Sequence, residues 1–86
     1  MGVSIEPQHT TVRDYPLRGL WQSVRRHLYR NSSISVFFCN EQGHYDKVKV
    51  AQDEIELTIV WHSLVLPAIR AGRDVWMTDI GNLMVG

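Results

Sequence analysis

Residues 53–72, DEIELTIVWHSLVLPAIRAG, form the most apolar stretch of this 86-residue chain and constrain its fold more than any other segment. Asp53 is placed to accept a hydrogen bond from a free amide in the first turn of a helix, and Glu56 follows at the capping-box spacing. Arg70 and Gly72 supply the matching end, with a cation in the last turn and a residue that tolerates positive φ. These signals predict a single helix.

Two features of the same segment favour another interpretation. Polar and apolar residues alternate from 54 to 59, as they do in a half-buried strand. Pro67 would kink or break a helix, because it lacks an amide hydrogen and crowds the carbonyl four residues earlier. The alternative is a strand over 55–61 followed by a short helix that begins at Ser63 and ends at Ala71. We favour the single helix, and on either interpretation we expect much of the core to come from Ile55, Leu57, Ile59, Leu64, Val65 and Ile69.

The rest of the chain contains one more helix and several short strands. Residues 16–29 are predicted to form a helix that starts at Pro16 and carries a narrow apolar stripe: Leu17, Leu20, Trp21, Val24 and Leu28. Residues 33–39 and 45–50 are predicted to form a hairpin, and further strands are expected at 74–80 and 83–85. In the first strand of the hairpin Ile34, Val36 and Phe38 are expected to share one face and Ser35, Phe37 and Cys39 the other, and in the second strand Val48 and Val50 are expected to face inward. Residues 1–15 are expected to form a flexible arm or an edge strand.

The resulting element order is α-β-β-α-β, with a terminal strand as a possible addition. This order predicts an α+β fold in which two helices pack on one face of a small antiparallel sheet of three or four strands. The length and the 44% hydrophobic content indicate one folded domain over residues 1–86.

Composition favours a cytoplasmic protein without a membrane span. The chain has one cysteine, Cys39, so no disulfide can form within it. The first ten residues lack the layout of a signal peptide, and no apolar run approaches the length that a transmembrane helix requires.

No motif indicates catalysis, a metal or a cofactor. Cys39, His44 and Asp46 flank one turn, but a structural zinc site needs four ligands and no second pair follows at a recognised spacing. A cysteine–histidine nucleophile pair would need an orienting group that the sequence does not identify. Phosphate-binding and nucleotide-binding glycine motifs are missing. We therefore predict a non-enzymatic protein that uses no metal and no cofactor.

Charge and aromatic residues point to a macromolecular partner. Residues 1–40 carry a net charge of +3 and residues 41–86 a net charge of −3, so the neutral total hides a segregation. The predicted partner-binding residues are four arginines of the first helix and two tryptophans as anchors: Arg18, Arg25, Arg26, Arg30, Trp61 and Trp76. If residues 55–61 form a strand, Trp61 turns inward and only the arginines carry the surface.

The hypothesis is a small adaptor or inhibitor that binds a protein, of a size common among proteins encoded by phages and mobile elements. The alternative is a nucleic-acid-binding protein that uses the arginine-rich helix, although its neutral charge is unfavourable for phosphate binding. Homodimerisation is a further possibility, since exposed strand edges need covering.

Overall fold

A computed structural model describes residues 17–86 of the chain. The elements in chain order are α1 (Leu17–Asn31), β1 (Ile34–Cys39), β2 (Tyr45–Ala51), α2 (Glu54–Val60), a π-helical turn (Trp61–Val65), α3 (Leu66–Arg70), β3 (Val75–Met77) and β4 (Asn82–Val85). The predicted α-β-β-α-β order, with its terminal strand, is confirmed. Pro16 and the arm or edge strand expected at 1–15 lie outside the described residues.

The four strands form one sheet in the order β2-β1-β4-β3. The two outer pairs, β1 with β2 and β3 with β4, are antiparallel, and the central pair of β1 and β4 is parallel. The α+β prediction is therefore confirmed, while the sheet is mixed rather than purely antiparallel. The sheet is mixed because the helical segment between β2 and β3 provides a long connection, which lets β4 lie beside β1 in the same direction.

Residues 54–70 form one helical run, as the favoured interpretation predicted. The Asp53 carboxylate accepts a hydrogen bond of 2.8 Å from the amide of Glu56, and the Glu56 carboxylate accepts one of 2.8 Å from the amide of Gln52. The helix ends where the Gly72 amide donates to the Ile69 carbonyl at 2.9 Å. Gly72 has φ 85°, which suits a glycine at this position.

Pro67 is accommodated by the π-helical turn rather than by a break. The amide of Leu66 donates to the carbonyl of Trp61, five residues back. This wider turn lies immediately before Pro67, where an α-helix would need the amide that proline lacks. The strand signal at 54–59 is thus overridden, and the proline changes the helix geometry without ending the helix.

Removal of the helix cap gives a first test of this segment. Asp53→Ala is expected to lower the free energy of unfolding by about 1 kcal/mol, because the Glu56 amide loses its acceptor. Urea denaturation followed by circular dichroism measures the change. Asp53→Asn keeps an acceptor oxygen and is expected to lose much less; equal losses for both variants would contradict the assigned cap.

The core lies between the helices and one face of the sheet. Both α1 and the 54–70 segment pack on this face. The prediction that Ile55 and Ile59 belong to the core was wrong, because the buried stripe of the segment lies on the opposite side of the helix. The residues that are fully or nearly fully buried include Leu20, Val24, Leu28, Ile34, Val36, Ala51, Leu57, Val60, Trp61, Val65, Ala68, Val75, Leu83 and Val85.

The shared face expected of Ile34, Val36 and Phe38 on β1 is confirmed, and the inward positions expected of Val48 and Val50 on β2 were wrong. Ile34 and Val36 are buried, whereas Val48 and Val50 are exposed. The pairing of β1 with β2 shifts between Val36 and Phe37, so that Val48 is the extra residue of a bulge. Val50 pairs with the outward-facing Ser35, and Ala51 takes the inward position instead.

Candidate functional site

A polar cluster joins α1 to the start of α2. The hydroxyl of Tyr29 donates to Glu54 Oε1 at 2.5 Å, and Arg25 Nη2 donates to the Tyr29 hydroxyl at 3.0 Å. Arg25 Nε also lies 3.1 Å from Glu54 Oε2. The hydrogen bond to Tyr29 and the charge of Glu54 raise the pKa of Arg25, so the guanidinium stays charged. The cluster links the two helices at the surface.

Beside this cluster lies the most exposed apolar surface on the two helices, which we call the isoleucine patch (Ile55 and Ile59). Ile55 is 75% exposed and Ile59 is 61% exposed, one helical turn apart. A shallow hollow at the same place is lined by both isoleucines together with Glu54 and Thr58. An exposed apolar surface beside a polar cluster has the composition of a contact surface.

Three polar side chains of the 54–70 segment are hydrogen-bonded to the backbone of the helix itself. Thr58 Oγ1 donates to the carbonyl of Glu54 at 2.8 Å, and Ser63 Oγ donates to the carbonyl of Ile59 at 2.7 Å. His62 Nδ1 lies 2.9 Å from the Thr58 carbonyl, and since a carbonyl only accepts, this nitrogen carries the proton. Side chains bonded to the backbone in this way leave the isoleucines as the available contact groups.

The four arginines of the predicted surface have different environments. Arg18, Arg26 and Arg30 are exposed on α1. Arg25 is held by Tyr29 and Glu54 and is not a free cation. Three of the four arginines are therefore available to a partner as single charges.

The two tryptophans do not join that arginine surface. Trp61 is only 6% exposed, and its ring packs against Trp21 with centroids 5.0 Å apart. Trp76 is half-buried and lies on the face of the sheet opposite to the helices, since its neighbour Val75 points into the core. The six predicted residues thus do not form one surface, whereas Ile55 and Ile59, which the sequence pattern assigned to the core, are exposed.

The sheet presents a second apolar surface on the side away from both helices. Residues paired across adjacent strands share a face, so the register defines one row that crosses all four strands. We call this row, together with Ser35, Cys39, Tyr45, Val50 and Asn82 on the same side of the sheet, the sheet face. Its central row consists of Lys47, Phe37, Met84 and Trp76.

Cys39 lies at one end of the sheet face. It pairs with Tyr45, whose ring meets Trp76 edge-on at a centroid distance of 6.1 Å. Burial, with the adjacent Cys39 as a smaller cause, raises the pKa of Tyr45 above its usual value. Within residues 17–86 no group of three or more histidine, cysteine, aspartate or glutamate side chains is arranged to hold a metal ion. His44 and Asp46, the suggested partners of Cys39 in a metal half-site, follow the turn at exposed positions.

Comparison with protein-family models, with curated proteins and with solved structures found no match. No helix in the described part of the chain is both long enough and apolar enough to cross a membrane.

Proposed function

We propose that this protein is a non-enzymatic, cytoplasmic protein-binding module, an adaptor or inhibitor that docks a larger protein on the isoleucine patch. The observation that carries the proposal is the exposure of Ile55 and Ile59 on a helix that the Arg25–Tyr29–Glu54 cluster links to α1. A free thiol at Cys39 suits a reducing compartment.

The energetics of the patch favour a partner that covers it. Full burial of an isoleucine contributes about 1.5–3 kcal/mol, and in the described part of the fold these two side chains obtain little of it. A partner side chain that fills the hollow between them gains that contribution without having to order a loop, because α2 is already capped at Asp53.

Charge defines the partner's chemistry further. Arg26 and Arg30 follow Arg25 and Tyr29 along α1 and are exposed. A partner surface that extends from the patch over the exposed side of α1 would meet these cations with acidic groups. Such rim charges mainly increase the association rate and the selectivity of binding.

The test compares charge inserted at exposed isoleucines inside the patch with charge inserted at an exposed isoleucine outside it. Ile55→Asp combined with Ile59→Asp is expected to weaken capture of the partner from source-cell extract at least about tenfold, because two carboxylates would be desolvated in the contact. Tagged protein and quantitative mass spectrometry measure the capture.

Ile80→Asp, one charge at an exposed isoleucine outside the patch, is the control for this test. Ile80 is 78% exposed in the turn between β3 and β4, next to Gly81, which lies against Asn31 at the end of α1. The control is expected to capture the same partner as the unaltered chain. Retention of every specific partner by the double variant would show that the patch is not the docking site.

The alternative function is binding of nucleic acid by α1, and the exposure of Arg18, Arg26 and Arg30 favours it. Arg25 contributes less, because Glu54 already neutralises it. A mobility-shift titration at two salt concentrations separates the two functions. Phosphate binding would weaken steeply with salt and would be lost in Arg26→Glu, Arg30→Glu, whereas docking on the isoleucines would depend little on salt.

A further inference from the structure

We propose that the sheet face is a self-association surface, on which a second copy of this chain packs sheet against sheet. The proposal is independent of the isoleucine patch, which lies on the helices on the other side of the molecule. It rests on the order of side chains along the central row: Lys47 on β2, Phe37 on β1, Met84 on β4 and Trp76 on β3.

This row is complementary to itself under one particular two-fold rotation. An axis parallel to the strands, between β1 and β4, places β2 of one copy opposite β3 of the other and β1 opposite β4. Lys47 then faces Trp76 of the second copy, and Phe37 faces Met84. The first pair is a cation over an indole, and the second is a thioether against an aromatic ring. Each pair occurs twice in the dimer.

The other face-to-face arrangement is excluded by charge. A two-fold axis across the strands would place each strand opposite its own copy, so Lys47 would face Lys47. Like charges brought together in a contact are unfavourable. The ammonium of Lys47 already lies 6.0 Å from the centroid of Phe37, so this cation is held over the central row.

The strand edges are poor alternatives for self-association. Among the strands of residues 17–86, the edge strand β2 contains the charges of Asp46, Lys47 and Lys49 and is interrupted by the bulge at Val48. The other edge, β3, is only three residues long. Charged, bulged and short edges resist pairing with another strand. Packing of two faces avoids this problem.

The size of the face sets the strength of the dimer. Four strands about 4.8 Å apart and at most three rows of side chains, of which β3 contributes to only one, bound the face at roughly 19 by 20 Å. Its burial on two copies removes at most on the order of 800 Å² from solvent, which is below the usual size of a stable interface. We therefore expect a weak, reversible dimer with a micromolar dissociation constant rather than a permanent one.

Sedimentation velocity of the full chain from about 5 to about 500 μM tests the proposal, since this range brackets the affinity expected of a small interface. The weight-average mass is expected to rise from 9.9 kDa towards twice that value. Lys47→Glu is expected to raise the dissociation constant at least about tenfold, because it removes two cation–aromatic contacts. A mass that stays at 9.9 kDa over the whole range would overturn the proposal.

Lys49→Glu is the matched control. It makes the same charge change on the same strand, but Lys49 pairs with the inward-facing Val36 and so lies on the other side of the sheet. It is expected to dimerise like the unaltered chain. Equal weakening by both substitutions would show a general charge effect and overturn the assignment. Ile59→Asp is expected to leave the dimer intact. Loss of the dimer in that variant would show that the interface is the isoleucine patch and not the sheet face.

Crosslinking through Cys39 tests the proposed face-to-face arrangement of the two sheets directly. It is the only cysteine and lies on the sheet face of β1. With sheets about 10 Å apart, the two Cys39 Cα atoms would be about 11 Å apart, too far for a disulfide but suitable for a short bismaleimide. Crosslinked dimer is expected for the unaltered chain and Lys49→Glu, and much less for Lys47→Glu. If the mass stays monomeric while a labelled single-stranded oligonucleotide binds and Lys47→Glu weakens that binding, the occupant is nucleic acid and the proposal fails.

Discussion

Trp61→Ala is expected to lower the free energy of unfolding by about 3–5 kcal/mol, the largest effect of any substitution considered. A domain of 86 residues has a total stability of about 4–13 kcal/mol. The loss is large because Trp61 is 6% exposed and packs against Trp21 across the contact between the 54–70 segment and α1. Its removal leaves a cavity at the position where two helices meet.

Urea denaturation measures this loss, and two further variants make the test specific. Trp61→Phe keeps an aromatic ring and is expected to lose less than half as much, so it remains folded if the alanine variant does not. Ile59→Ala is expected to change stability by less than about 0.5 kcal/mol, because its side chain is 61% exposed. A larger loss of stability for Ile59→Ala than for Trp61→Ala would show that the side of the helix with Ile59, and not the side with Trp61, faces the core.

This orientation is the point at which the sequence was hardest to interpret. The segment carries two stripes with helical spacing. One consists of Ile55 and Ile59, and the other contains Leu57, Val60, Trp61, Leu64, Val65 and Ala68. The second stripe is longer and was available as a signal. The alternation at 54–59 obscured it, because that pattern groups Ile55, Leu57 and Ile59 on one face, as in a strand. The helix itself was predictable from Asp53 and Gly72, since caps are local.

The sheet shows a similar division between local and non-local information. The positions of β1 and β2 followed from alternation and from the turn at Gly43, which has φ 85°. The bulge at Val48 and the parallel pairing of β1 with β4 did not, because both depend on contacts between segments distant in the chain. The central row of the sheet face depends on that pairing, so no sequence pattern could have brought Phe37, Met84 and Trp76 together.

In the candidate sites, too, local features could be predicted from the sequence and contacts between distant segments could not. The exposure of Arg18, Arg26 and Arg30 could be predicted from one amphipathic helix. The ion pair of Arg25 with Glu54 could not be predicted, since it required α1 and α2 to be placed side by side.

The two proposed surfaces lie on opposite sides of the molecule. If both proposals hold, a dimer formed through the sheets presents two isoleucine patches facing outward, and a partner with two matching sites would bind it with increased avidity.

Arg73→Ala is expected to lower the free energy of unfolding by about 2–3 kcal/mol. Arg73 Nε donates to the Gly86 carbonyl at 2.8 Å, and Nη2 donates to the Cys39 carbonyl at 3.1 Å. Its guanidinium also lies 5.1 Å from the centroid of Phe38. Hydrogen bonds to a charged donor contribute about 1.5–3 kcal/mol each, and partial exposure of this site reduces the sum. The alanine variant leaves both carbonyls without their donor.

Arg70→Ala is the matched control, because it removes the same charge from an exposed position three residues earlier. Its expected cost is below about 0.5 kcal/mol, and Arg73→Lys, which lacks the forked donor, is expected to fall between the two. Amide exchange adds a local measurement: the Gly86 amide, which donates to the Asp74 carbonyl at 2.7 Å, is expected to exchange faster in Arg73→Ala. Gly86 lies close to the ring of Trp76, since a Cβ added to Gly86 would be 3.3 Å from it. Greater motion of Gly86 would therefore disturb the end of the sheet face. Arg73→Ala is therefore expected to weaken self-association as well as folding, and equal stability of Arg73→Ala and Arg70→Ala would contradict this role for Arg73.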